Sequence, residues 1–231
     1  MILLAFDTAQ GALSAAVSDG GDLHVAHFEE RTRGHAEALM PLVDCVLKEA
    51  GIGFADLDAL AVTVGPGTFT GLRVGLAAAR GLALARSLPL VGVTTLEAIA
   101  EPAGAAADEI TIATFDARRD EIYMQAFAND LEALTPPLLP GLGEAEAHLP
   151  QGNLLLVGTG APLLAERLEK GVRSFRLSPA RPQPDAAALL RIARSRIEAQ
   201  GLDAFRVAPE PLYIRAPDAK LPGGRDPGEA A

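Results

Sequence analysis

The chain begins the same way twice. An apolar run from Ile2 is closed by Phe6-Asp7, and a second run from Ile110 is closed by Phe115-Asp116, an offset of 109 residues. At that offset Leu3 falls on Ile112, Leu13 on Ile122 and Ala15 on Met124, apolar residues on one strand parity. Each run is followed by a second stretch with the period of two of a half-buried strand, so each half opens with a β-hairpin. In the first half Asp19-Gly20-Gly21-Asp22 supplies another turn, and a third strand follows from Leu23. The period then changes. Leu39, Leu42, Val43, Val46 and Leu47 recur at helical spacing until Gly51 stops the helix. A buried strand over Leu57 to Val64, a Gly65-Pro66-Gly67 turn, a helix from Phe69 to Ser87 and a short strand over Leu90 to Val93 complete the half.

The second half is abbreviated. Leu131 to Pro150, rich in Pro and Gly, reads as an irregular connection, and Leu154 to Val157 as a short strand ending in Gly158-Thr159-Gly160. Helices are expected over Pro162 to Lys170 and Asp185 to Ala199. Glu101-Pro102-Ala103-Gly104 breaks the chain between the halves, giving lobes at 1–104 and 105–215. Residues 216–231 carry no apolar periodicity and are expected to be a disordered tail. The fold class is therefore α/β with a duplicated core.

Composition narrows the function classes. With 20 Lys and Arg against 30 Asp and Glu, the net charge is −10, and an excess of that sign repels phosphate backbones. Nucleic-acid binding by this chain alone is disfavoured. The one cysteine, Cys45, supplies neither an intrachain disulfide nor a CxxC pair, which fits a reducing compartment; flanked by Val43, Val46 and Leu47, it reads as core. The N-terminus reads as a strand and not a signal peptide, and no charge-free apolar stretch reaches the roughly 18 residues that cross a bilayer. A cytoplasmic protein is expected.

Three motifs carry potential chemistry. Val64-Gly65-Pro66-Gly67-Thr68 followed by a helix offers backbone N–H groups and a helix dipole to an anion, but no Gly-Lys-Ser/Thr completes a P-loop. The same residues also suit a tight turn with Thr68 or Thr70 as N-cap. Asp7-Thr8 and Asp116 lie at matching bends and, with Gly158 and Gly160, are the candidates for a metal-nucleotide cleft; carboxylates that only close their own turns are the alternative. His35 opens the first helix, but the position four residues on is Leu39, so the pair of imidazoles that would share a metal is missing. Finally, Gly71, Gly75 and Ala79 form a smooth stripe four residues apart, suited to close approach by a neighbouring helix.

Across nearly the whole chain these blocks resemble the bacterial TsaB (YeaZ) family. The likeness is carried by Ile2 to Thr8, His35-Ala36-Glu37-Ala38-Leu39-Met40-Pro41, Gly65-Pro66-Gly67-Thr68-Phe69-Thr70-Gly71-Leu72-Arg73, Gly92-Val93-Thr94-Thr95-Leu96, Phe115-Asp116-Ala117-Arg118 and Glu210-Pro211-Leu212-Tyr213-Ile214-Arg215. The resemblance implies an actin/Hsp70/sugar-kinase-like fold of two lobes. It further implies a non-catalytic subunit in making threonylcarbamoyladenosine beside the anticodon of tRNAs that read codons starting with A. Its partners would be a TsaD-like, metal-bearing catalytic paralogue and a TsaE-like ATPase, with tRNA met only through the complex and no membrane. The paralogue carries two histidines four apart, the second replaced here by Leu39. His35, Leu39, Leu42, Val43, Val46, Gly71, Gly75 and Ala79 are then the partner-binding set, and the same stripe suits a homodimer of the isolated chain. No resident metal or cofactor is expected beyond vestigial nucleotide binding at Asp7, Thr8, Asp116, Gly158 and Gly160. Two enzyme classes compete with this reading: an ATP-using kinase of the sugar or acyl type, from the paired Asp bends, and a metallopeptidase of the glycoprotease kind.

Overall fold

Strand β1 (Ile2–Asp7) pairs antiparallel with β2 (Ala12–Asp19), which pairs with β3 (Leu23–Glu30). These strands are described in a computed structural model covering residues 1–20, 23–168 and 174–215. The expected tail at 216–231 and the end of the helix expected to reach Lys170 lie outside the described residues. Helix α1 (His35–Ala50) ends where Gly51 takes a left-handed φ of 68°. It is followed by β4 (Ala59–Gly65), α2 (Phe69–Arg86), β5 (Leu90–Thr94) and α3 (Thr95–Ala100). The first sheet has five strands in the order β3-β2-β1-β4-β5, with β4 and β5 parallel to β1.

The second half repeats the plan with less material. Strands β6 (Glu109–Asp116), β7 (Ile122–Phe127), β8 (Asn153–Val157) and β9 (Phe175–Leu177) form a sheet ordered β7-β6-β8-β9, with helices α4 (Ala161–Leu168) and α5 (Ala186–Gln200). The tract expected to be irregular runs along β7 through single bridges, Phe127 with Ala133, Met124 with Leu138 and Glu121 with Gly141. It is a broken counterpart of β3. Prolines at 136, 137 and 140 deny it the donors of a continuous ladder.

Each sheet has an outer and an inner face. Outside, Leu4, Phe6, Leu13, Ala15 and Val17 pack under α1 and α2, and Ile112, Ile122, Met124 and Leu156 pack under α4. Inside, Leu3, Ala5, Ala61 and Val91 of the first sheet meet Ala186, Leu189, Leu190 and Ala193 of α5, while Ala113, Phe115, Phe127 and Val157 of the second meet Leu96 and Ile99 of α3. The closing helices are therefore exchanged, each covering the other half's sheet. This corrects the expected partition of lobes. The segment 105–215 is not self-contained, because α5 belongs to the core of the first sheet, and long-range burial of that kind leaves no mark on local sequence.

The internal repeat also needs a correction of one residue. The match of β2 with β7 holds, since Leu13 and Ile122, and Ala15 and Met124, face the same outer layer in their halves. The match of β1 with β6 does not: Phe6 lies outside and Phe115 inside, Leu3 inside and Ile112 outside. Ladder partners agree, with Asp7 opposite Ser14 but Asp116 opposite Ile122. Strand side chains alternate, so a slip of one residue moves every one to the other face. In spatial terms Asp116 corresponds to Thr8, and Asp7 to Phe115.

Candidate functional site

A cleft of about 680 Å³ opens between the two sheets at the ends of these strands. The first half lines it with Gln10, Gly11 and Pro66 to Phe69, and the second with Asp116 to Arg118, Tyr123 and Thr159. The segment that follows α5 closes one side with Leu212 to Arg215. That segment is a strap bound to both halves. The Leu212 N–H donates to the Val64 carbonyl at 2.7 Å, Arg80 donates to the Pro209 carbonyl at 2.6 Å, and Arg215 donates to the Ala117 carbonyl at 3.0 Å while pairing with Glu121. Gly65 and Gly92 allow the strap to lie down: a Cβ on Gly65 would come within 2.6 Å of the Leu212 carbonyl oxygen, and one on Gly92 within 2.7 Å of Pro209.

The glycine-rich turn is pressed onto the first hairpin. Gly65-Pro66 is cis, the Thr68 N–H donates to the Ala9 carbonyl at 2.8 Å, and the Thr68 hydroxyl accepts from the Gly71 N–H at 3.2 Å. Thr68 is thus the N-cap of α2, as the turn reading of the motif expects.

Asp7 and Asp116 occupy opposite electrostatic situations. Asp7 is fully buried, with Oδ1 accepting from the Thr63 hydroxyl at 2.6 Å and the Ala9 N–H at 3.1 Å, while Oδ2 has no partner among the described residues. Burial, outweighing those bonds and assisted by the negative charge of Asp185, pushes its carboxyl up to about 7. Asp7 does not line the cleft, nor does Thr8, whose hydroxyl donates to the Gly71 carbonyl at 2.7 Å. Asp116 does line it, accepting from the Arg118 N–H at 2.8 Å and pairing with the Arg118 guanidinium at 3.0 Å. Beyond it Arg118, Arg119 and Asp120 are consecutive non-glycine residues at positive φ, 62°, 57° and 59°. Each such residue costs of order 1 kcal/mol, strain concentrated on the cleft's rim.

The candidate nucleotide set is therefore not assembled. Of Asp7, Thr8, Asp116, Gly158 and Gly160, only Asp116 reaches the cleft. The two glycines serve packing: a Cβ on Gly158 would lie 2.0 Å from the Thr114 carbonyl oxygen, and one on Gly160 2.7 Å from Ile122. Thr159 between them faces the cleft, and its hydroxyl accepts from the Asp116 N–H at 3.2 Å. Sequence reasoning missed Thr159, Tyr123 and Gln10, although flanking motifs pointed at the first.

Most of the expected partner-binding residues lie in this chain's own core. Leu39, Leu42, Val43 and Val46 are buried under α1 in the first sheet's own outer core. Gly71 and Gly75 are the contact of α2 with β1, where added Cβ atoms would meet the Thr8 carbonyl oxygen at 2.1 Å and the Thr8 hydroxyl at 2.6 Å. Ala79 is buried beside them. His35 is half-buried, its Nε2 without a hydrogen-bond partner among the described residues. The smooth stripe lets α2 settle on its own sheet. What α2 leaves outside is a second apolar stripe, Ala77, Gly81, Leu84 and Ala85, with Leu84 84% exposed and open space around Gly81; α1 adds Met40, exposed.

Two lobes of mixed sheet, each strand-turn-helix junction facing a common cleft, define an actin/Hsp70/sugar-kinase-like fold. The activator of 2-hydroxyisocaproyl-CoA dehydratase from Clostridium difficile, solved with bound ADPNP, shares this fold at a TM-score of 0.54 and 9% identity, over 86% of this chain and 96% of that one. Within the class the matches narrow. The family model for TsaD, tRNA N6-adenosine threonylcarbamoyltransferase, matches residues 28–180. The tRNA threonylcarbamoyladenosine biosynthesis protein TsaB of Escherichia coli is 36% identical over 170 residues, 69% of this chain and 72% of that protein. YeaZ from Pseudomonas aeruginosa superposes at a TM-score of 0.77 with 28% identity, covering 92% of this chain and 99% of that one. The chain belongs to the TsaB (YeaZ) family.

Proposed function

We propose that this protein is a non-catalytic subunit in the synthesis of threonylcarbamoyladenosine on tRNA, holding a TsaD-like catalytic paralogue through the outward faces of α1 and α2. A TsaE-like ATPase joins the pair, and tRNA is met through the complex. The observation that carries the reading is Leu39: where the paralogue is expected to place its second metal-binding histidine, this chain has an apolar side chain 1% exposed in its own core. Metal-dependent transfer there would need a donor that the position does not supply. Asp7 points the same way. A carboxylate that serves a metal-nucleotide must reach the cleft, and this one is sealed behind Thr63 and the first hairpin. Of the paired acids behind the kinase reading, only Asp116 then remains in the cleft.

The docking surface is the stripe Ala77, Gly81, Leu84 and Ala85 with Met40. Its small residues permit a close helix–helix approach, and Leu84, 84% exposed, supplies an apolar anchor. Net charge of −10 fits a subunit that leaves the phosphates to others. The test is co-purification of the Leu84→Glu variant with the catalytic paralogue, together with nucleoside analysis of tRNA from cells carrying only that variant. The fold is expected to survive, and both association and the modified nucleoside to be lost. Wild-type levels of both would overturn the proposal.

A further inference from the structure

We propose that the first lobe carries a zinc-type cation site formed by His27, Cys45 and Glu49, on the side of α1 that meets the edge strand β3. Cys45 does not enter the core that its neighbours suggest; its side chain is exposed. It stands one helical turn from Glu49 on α1, and the ligand atoms of these two residues and of His27 on β3 all lie within 4.8 Å of one another. Nε2 of His27 and a carboxylate oxygen of Glu49 already meet at 2.6 Å. Tetrahedral zinc bonded to sulfur, imidazole nitrogen and carboxylate oxygen holds its donors about 3.5 Å apart, so rotamer adjustment within the cluster suffices. Lys48, the nearest cation in sequence, is held by Asp44 at 2.5 Å and does not occupy the site.

The donor chemistry selects the ion. A thiolate and an imidazole favour zinc and its transition-metal neighbours over magnesium or calcium, which prefer all-oxygen shells. Three protein donors leave a fourth position for water or for a donor from a docked chain. Bound metal would staple the last turns of α1 to β3, an edge of the first sheet, and would occupy the single thiol. The inference stands apart from the proposed function, because it requires no partner.

The test titrates the purified full-length chain, freed of metal, with cobalt(II) and then zinc. The expected result is one cobalt per monomer with thiolate-to-cobalt charge-transfer absorption, displaced by one equivalent of zinc, and a higher melting temperature with zinc. The absorption should vanish in Cys45→Ser and bind at least tenfold more weakly in His27→Gln and Glu49→Gln, all three remaining folded by circular dichroism. Absence of the absorption overturns the proposal. So does an absorption unaffected by the His27 and Glu49 changes and accompanied by dimerisation, which would mean that Cys45 thiolates of two chains share the metal.

Discussion

Asp7 and Asp116 end the first strands of two hairpins built to one plan, yet one is fully buried and the other lines a cleft. A single residue of register separates them. In β1 the acid falls on the inner parity with Leu3 and Ala5, toward α5; in β6 it falls on the parity of Ile112, the outer layer. The halves differ in the same sense elsewhere. The first spends a sixteen-residue and an eighteen-residue helix on its outer face, where the second has, among the described residues, an eight-residue helix and a bridged irregular tract. One half presents helix surface, and the other presents strained loop and polar side chains. Duplication conserved the layers and let the edges take different work.

The sharpest way to test the equivalence is at the two strand-to-helix junctions. Gly71→Ala would drive a Cβ to 2.1 Å from the Thr8 carbonyl, and Gly158→Ala to 2.0 Å from that of Thr114. Backbone on both sides cannot yield cheaply, so each change is expected to cost about 3 kcal/mol or more by denaturant titration. Gly158 should be the costlier, because its φ of 101° is closed to alanine as well. Similar losses mean that the junctions carry equal weight; a mild effect at one would break the symmetry.

The carboxylates separate next. Asp7, raised to about 7 in the folded state, binds its proton more tightly folded than unfolded. Its contribution to stability is therefore complete below pH 4, where both states are protonated, and is lost as pH rises through 7. The expected slope is up to about 1.4 kcal/mol per pH unit in that window. Asp7→Asn should flatten it, as measured by urea unfolding from pH 4 to 8. An unchanged slope would place the titration elsewhere.

Smaller effects follow on the surface. Gly81→Ala fills open space within α2 and should stabilise the isolated chain by about 0.5–1 kcal/mol in thermal unfolding. Asp116→Asn keeps an oxygen for the Arg118 N–H and should shift stability by less than about 0.5 kcal/mol, the smallest change of the series.

Much of this architecture was legible in the residues. Alternation and turn chemistry placed β1 to β3, and Gly51 and Thr68 marked helix ends where the backbone has them. What failed was the assignment of faces. A stripe of glycines says that something approaches closely, but the same stripe serves a helix lying on its own sheet as well as one meeting a stranger. Cys45 was misplaced for a related reason: Val43, Val46 and Leu47 surround it in sequence, while rotation about the helix carries it outside. His27, eighteen residues earlier on a strand, gave no local sign of meeting it. The register slip between β1 and β6 was hidden because Phe-Asp recurs while the layer it faces does not.

The exchange of α3 and α5 sets the order in which this protein is completed as it leaves the ribosome. The five strands of the first sheet are complete at Thr94, but α5, the helix that covers their inner face, comes only at Ala186–Gln200. Until then Leu3, Ala5, Ala61 and Val91 lack their cover, an apolar face left open while the chain is incomplete. A chain cut after residue 104 would keep that vulnerability permanently.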